Sequence, residues 1–318
     1  MAIDSDTTAA QVLTADAEPA PELDPVVAAN ESGDPATSPA AAVANDLPVT
    51  VIEPPRGWTS LDLPGLWRYR DLFGLLVWRG IVARYRQSVV GIGWAIITPL
   101  VSTFIFTVIF SRVAGIPSDG SPYPLFAFSA LLPWNYFASA LAQATGSVVG
   151  SGGVIQKVYF PRLILPLVGV VTGLIEVAIQ MVALFALMAW FQFFPGWQIV
   201  FLPVFLVLAA ASALSVGLWL TALNVKYRDV GQAVPFLTQA WMWLSPIVYS
   251  SQQVPEHLRP LYGLNPMVGV IEGFRWSLLG STEPDWTMMA VSASVVAALL
   301  LGGLYYFRRT EDYFADII

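Results

Sequence analysis

Residues able to do chemistry are few in this chain, and they are scattered. There is no cysteine, and His257 is the single histidine, so thiolate chemistry, disulfides and histidine-rich metal sites are excluded or starved of ligands. No Gly-x-x-x-x-Gly-Lys-Ser/Thr loop occurs, which removes the usual phosphate cradle of an ATPase. Glu176, with Gln180 four residues on and over the same helical face, is a carboxylate inside a long apolar run. An acid there is either a functional group or half of an interhelical hydrogen bond that fixes packing. Arg84 and Arg86 carry guanidinium groups that can grip phosphate bidentately, or that simply anchor a membrane boundary. Trp134, Tyr136, Trp241, Trp243 and Tyr249 belong to a dense aromatic set. Such rings anchor at membrane interfaces, or stack on sugar C–H faces along a conduit.

One polar island stands out, Val154-Ile-Gln-Lys-Val-Tyr-Phe-Pro-Arg-Leu-Ile-Leu-Pro166, between two long apolar runs. It carries Gln156, Lys157, Tyr159, Phe160 and Arg162. The elements around it follow from composition. Of the 318 residues, 56% are hydrophobic and only 12% charged, against about 25% charged in soluble domains. That places the chain in the multi-span membrane class.

Charge is segregated. Ten of the 22 acids lie in residues 1–55, which contain no Lys or Arg, leaving 12 acids against 15 bases in the rest. Segment 1–55, rich in Ala, Pro, Asp, Glu, Ser and Thr, has no helical stripe and is expected to be a disordered cytosolic tail. It either solubilises or binds a regulator. It has neither the basic start nor the apolar core of a signal peptide.

From residue 58 to 87, apolar residues at helical spacing are interrupted by arginines, which predicts an amphipathic helix at about 66–83 lying in the membrane interface. Six transmembrane helices are expected, at about 91–112, 123–149, 165–190, 198–223, 232–250 and 286–307. The fifth is the shortest, with Pro235 and Pro246 near its ends, and invites a break. With the N-terminus inside, the inner loops hold 12 Lys and Arg and the outer loops only three. The positive-inside bias therefore puts both termini in the cytosol. Between spans five and six, Asn265-Pro266 reads as a cap and first turn of a helix that stops at Gly280. Glu272 and Arg275 on it are spaced for an i,i+3 ion pair. With residues 255–262 this predicts two short helices re-entering the outer leaflet, over about 254–279.

Several motifs, in order over about residues 56–310, are Trp67-Arg-Tyr-Arg-Asp71, Arg84-Tyr-Arg86 with Gly93-Trp94 and Pro99, and Ala130-Leu-Leu-Pro-Trp134. They continue with Lys157-Val-Tyr-Phe-Pro-Arg162, Leu223-Asn-Val-Lys-Tyr-Arg-Asp229, Ser245-Pro-Ile-Val-Tyr249, and Leu264-Asn-Pro-Met267 through Glu272-Gly-Phe-Arg275. As a set they resemble the membrane permeases of ATP-driven bacterial polysaccharide exporters, those for O-antigen, teichoic acid and galactan-type glycans. The resemblance implies an all-α ABC type-2 exporter permease fold over 56–318. It also implies a half-transporter: two copies form a channel in the bacterial cytoplasmic membrane and work with two copies of a separate nucleotide-binding subunit. ATP and magnesium would sit on that partner and no cofactor on this chain. By the same resemblance, 153–162 is the coupling helix through Gln156, Lys157, Tyr159, Phe160 and Arg162. Arg84 and Arg86 would meet an incoming lipid diphosphate, the five aromatics would line the channel, and Asn265, Glu272 and Arg275 would form an outer gate. The implied cargo is a polyprenyl-diphosphate-linked polysaccharide or, in related members, a polyol-phosphate polymer, with membrane lipids around the chain and no nucleic acid as partner.

Two rivals stand beside this reading. A drug or lipid exporter permease would share the architecture. A membrane-embedded glycosyl or phosphoryl transferase would need paired acids near the cytosolic face to hold a divalent metal. Asp62, Asp71 and Asp229 are the inner-loop acids, and they are far apart in sequence.

Overall fold

The computed structural model describes residues 67–86, 91–280, 283–311 and 314, and among these the chain is helical with no strand. The acidic segment 1–55 lies outside the described residues. Helix α1 is Arg70–Tyr85. Helix α2, Gly93–Phe106, runs on as a π-helical segment, Thr107–Val113. Then come α3 (Tyr123–Gly150), the one-turn α4 (Gly152–Ile155) and α5 (Ile164–Trp190). A 3₁₀ turn, Trp197–Phe201, leads into α6 (Leu202–Lys226), followed by α7 (Asp229–Trp243). The chain closes with α8 (Arg259–Tyr262), α9 (Pro266–Leu279) and α10 (Trp286–Thr310).

Among the described residues, five helices are long and apolar enough to cross a membrane: α2 with its π extension, α3, α5, α6 with its 3₁₀ turn, and α10. The expected fifth span, 232–250, differs. Helix α7 has 15 residues, which at 1.5 Å per residue is about 22 Å, short of a hydrocarbon core of about 30 Å. The physical reason is Pro246, which cannot donate a backbone N–H and biases the residue before it away from helix, so α7 stops at Trp243. The segment still runs the length of the bundle. At one end Gly231 N donates to Asn224 Oδ1 beside the close of α6, and at the other the Tyr123 phenol Oη, at the start of α3, donates to Val248 O.

Helix α3 is the hub. Its apolar side chains are buried along most of its length, against α5, α6 and α9. Close approach to α5 needs Gly169, where a Cβ would lie 3.0 Å from the backbone N of Ala144. The core divides into two clusters. One fills the interior among α3, α6 and α9. The other joins Val148, Phe160, Leu163, Val225, Phe307 and Phe314 where α3, α6 and α10 end and α5 begins. That second end also carries Lys157, Lys226, Arg228, Arg308 and Arg309, and is called here the basic end.

Helix α1 packs along α5, with Gly80 against Thr172. Its other side exposes Trp67 just before the helix, and Leu75 and Trp78 within it. Apolar exposure beside a packed face is what a helix lying in a membrane interface requires.

Candidate functional site

At the basic end, residues 151–163 leave α3 and enter α5. Only Gly152–Ile155 is helical here, not the whole of 153–162 as expected. Two glycines open the turn, β-branched Val158 follows, and Pro161 disfavours the helical conformation at Phe160 just before it. The side chains divide by depth. Gln156, Lys157, Val158 and Tyr159 are exposed, whereas Phe160 is buried in the core cluster of the basic end. Arg162 is half-buried, and its Nη1 is buried without a hydrogen-bond partner. The large side chains this turn offers to another protein are therefore those of 156–159. Phe160 holds the turn in place from beneath.

Above this turn, an ion pair connects two elements far apart in sequence. Arg84, in the last turn of α1, donates to Glu176 in α5, and both side chains are about three-quarters or more buried. Ser139 Oγ donates to the other carboxylate oxygen at 3.3 Å, and Gln143 Nε2 donates to Ser139 Oγ at 3.1 Å. Glu176, read from sequence as a lone acid, is thus fully partnered, and Arg84 is held against it. Arg86 is exposed and stands apart. Gln180, one turn beyond Glu176, is buried with its Oε1 unpartnered. Beside the ion pair, a cavity of about 470 Å³ opens between α1, α3 and α5, with Arg79, Gln143, Ser147 and Thr172 among its polar walls.

Sequence reasoning missed Asn224. Its Nδ2 donates to Thr145 O at 3.0 Å, and its Oδ1 accepts from Gly231 N at 2.8 Å. Thr221 Oγ1 adds a bond to Ala144 O at 2.8 Å. This buried knot ties α3, α6 and α7 together at the basic end. The available signal was a side-chain amide at the end of an apolar run, within the motif at 223–229.

At the far end, α9 is a buried helix. Asn265 Oδ1 accepts from Met267 N at 3.0 Å, Pro266 opens the first turn, and Gly280 closes it with a left-handed φ of 59°. The Asn265 amide also reaches Ser245 Oγ at 3.0 Å, and its Oδ1 takes the Trp241 indole N–H at 3.0 Å. Arg275 is buried. It donates to Ile247 O at 2.8 Å and Tyr249 O at 3.1 Å, pairs with Glu272 at 3.4 Å, and lies 3.7 Å over the Phe126 ring. Its charge thus holds the turns of 244–250 against the start of α3. Tyr249 shares a 2.8 Å hydrogen bond with Tyr262, whose phenol is pushed well above its ordinary pKa by burial first and by that bond second.

The five aromatics expected to line a channel divide. Trp134 and Tyr136 are buried in the core, Tyr136 donating to Val170 O at 3.1 Å, so packing within the chain occupies both. Trp241 is half-buried edge-on to Phe137, and Tyr249 is half-buried in the network above. Trp243 is exposed, beside Phe106 and Phe110. Alternating helical faces explain the division, because α3 is surrounded while α7 is covered on one side only. Among the described residues no cluster of His, Cys, Asp or Glu could hold a metal ion.

The helices that carry this arrangement, from α1 through α9, coincide with a known family. Residues 71–279 match the ABC-2 type transporter family model. The chain belongs to the ABC-2 type transporter family. It is therefore a multi-pass membrane component of a transporter, of a family that normally works with an ATP-binding subunit. The chain is 28% identical over 257 residues to the O-antigen export system permease protein RfbA of Myxococcus xanthus, covering 80% of this chain and 97% of that one. A Klebsiella pneumoniae protein with the same description is 24% identical, over 78% of this chain and 95% of the relative. The capsule polysaccharide export inner-membrane protein CtrC of Neisseria meningitidis serogroup B is 23% identical, over 78% and 92%. All three of these relatives are described as polysaccharide export proteins.

Proposed function

We propose that this chain is the transmembrane half of an ATP-driven exporter that moves a polyprenyl-diphosphate-linked polysaccharide from the cytosol to the outer face of the bacterial cytoplasmic membrane. Two copies act with two ATP-binding subunits, and both termini are cytosolic. The observation that carries the reading is the cavity under α1. It adjoins the basic end, it is roofed by an interfacial helix, and Arg79 on its wall has no ion-pair partner among the described residues. A guanidinium beside serine, threonine and glutamine side chains suits a phosphate headgroup whose lipid tail stays in the bilayer. Arg79 takes this role better than Arg84, which Glu176 already holds. The relatives named for O-antigen and capsule export support the glycan as cargo.

Energy enters through the exposed 156–159 turn. ATP-driven closure of the partner displaces that turn, and the packed spans rock to advance the polymer. The test is ATP hydrolysis by the permease with its ATP-binding subunit in vesicles. A polyprenyl-diphosphate-linked glycan should stimulate it, and Arg79→Ala should blunt that response several-fold. Stimulation by small hydrophobic compounds but not by the glycan lipid would move the chain to the drug or lipid exporters.

A further inference from the structure

A second feature of the basic end adjoins the 156–159 turn and shares Gln156 with it. A notch of about 370 Å³ opens between the last turn of α3, the α4 turn and the residues that follow α6. Gly150 and Gly153 form its floor, and a Cβ built on either would meet nothing within 4 Å. Val149 and Val225 supply an apolar wall, and the side chains of Gln156 and Arg228 stand at the rim, both exposed. Lys157 and Lys226 extend the positive surface on either side. Among the described residues, none of these three cations has a carboxylate partner, and the notch lining contains no acid. The rim is held in register, because the Asn224 side chain donates to Thr145 O in α3 and accepts from Gly231 N in α7.

We propose that this notch is a second seat for the ATP-binding subunit and receives one acidic side chain of that partner. The carboxylate meets the Arg228 guanidinium and the Gln156 amide, while its methylene stem rests on Val149 and Val225. The proposal rests on the reading that such a subunit docks at the basic end. Charge complementarity favours it: an exposed arginine over a floor without side chains accepts a carboxylate bidentately and lets the partner's backbone approach. Position favours a protein over a lipid headgroup, since the notch is continuous with the exposed 156–159 turn through Gln156 itself. A partner seated here grips two chain segments at once, one leading from α3 and the other leading into α7. Motion of the partner then reaches α7 directly.

The test places a photo-reactive phenylalanine derivative at position 228, and separately at 159, in cells that make the permease together with its ATP-binding subunit. Cross-linked peptides are identified by mass spectrometry. Both positions should capture a protein that carries a Gly-x-x-x-x-Gly-Lys-Ser/Thr loop, with the adduct from 228 close to an Asp or Glu. Arg228→Glu should lower recovery of the complex about tenfold, as loss of about 1.4 kcal/mol of pairing requires, and replacing the partner's acid by Arg should restore it. Gly153→Leu fills the notch without meeting a neighbour at Cβ, so membrane yield should hold while recovery of the complex falls. Capture from 159 alone, or adducts from 228 only with lipid, would overturn the second seat and leave the proposed function standing. Capture from neither position would overturn both. An undiminished complex with Gly153→Leu would likewise contradict the notch.

Discussion

Glu176 carries a charge that the interior of a span tolerates because Arg84, Ser139 and the neighbouring Gln143 meet it. Removing one member of a largely buried pair leaves the other charge without compensation, which costs more than removing both. Glu176→Ala or Arg84→Ala should each lower unfolding stability by about 2 kcal/mol, and the double variant should recover part of that loss. Thermal unfolding of the purified variants in detergent checks the cycle; strictly additive losses would show that the pair does not couple α1 to α5. Asn224 makes a second prediction at this scale. Asn224→Ala leaves Thr145 O and Gly231 N without their side-chain partner, so stability should fall by about 1–3 kcal/mol in the same assay.

At the scale of elements, α9 depends on glycine at its contact with α6. A Cβ on Gly273 would run into the Phe205 ring, so Gly273→Ala should push α9 off α6 and cost about 1–3 kcal/mol. Exported polymer should fall in parallel with the folded fraction. Much of α9 was legible in the sequence, since Asn265, Pro266 and Gly280 are local signals of a helix start and stop, and an i,i+3 spacing suffices to read Glu272 with Arg275. The long spans were legible for a similar reason, because hydropathy over about 20 residues is a local sum. Arg84 with Glu176, Asn224 with Thr145, and Arg275 with Ile247 were not, as each joins residues brought together only by tertiary packing. The shortened α7 was half legible: its prolines showed a break, but not that turns would complete the passage to Val248. Trp134 and Tyr136 illustrate the same limit, since aromatic type does not say which face of a helix is covered.

For the molecule as a whole, the uneven covering of the spans matters most. Helix α2 exposes Trp94, Val101 and Phe104, and α7 exposes Phe236 and Trp243, while α3 is almost enclosed. Two copies meeting through α2 and α7 would cover these faces and enclose a passage. The chain has no cysteine, so single cysteines introduced at Phe236 or Phe104 report only on that contact. Oxidation in native membranes should yield a disulfide-linked pair from at least one of them, with none from a cysteine at buried Leu132. Export of a lipid-linked polymer is the claim on which all of this converges, and depletion of the protein in its native host tests it most directly. Mass spectrometry of polyprenyl-linked glycans should then find an elongated lipid-linked polymer accumulating on the cytosolic side. Unchanged glycan lipids, or loss of the elongated form with a shorter precursor left behind, would contradict the account.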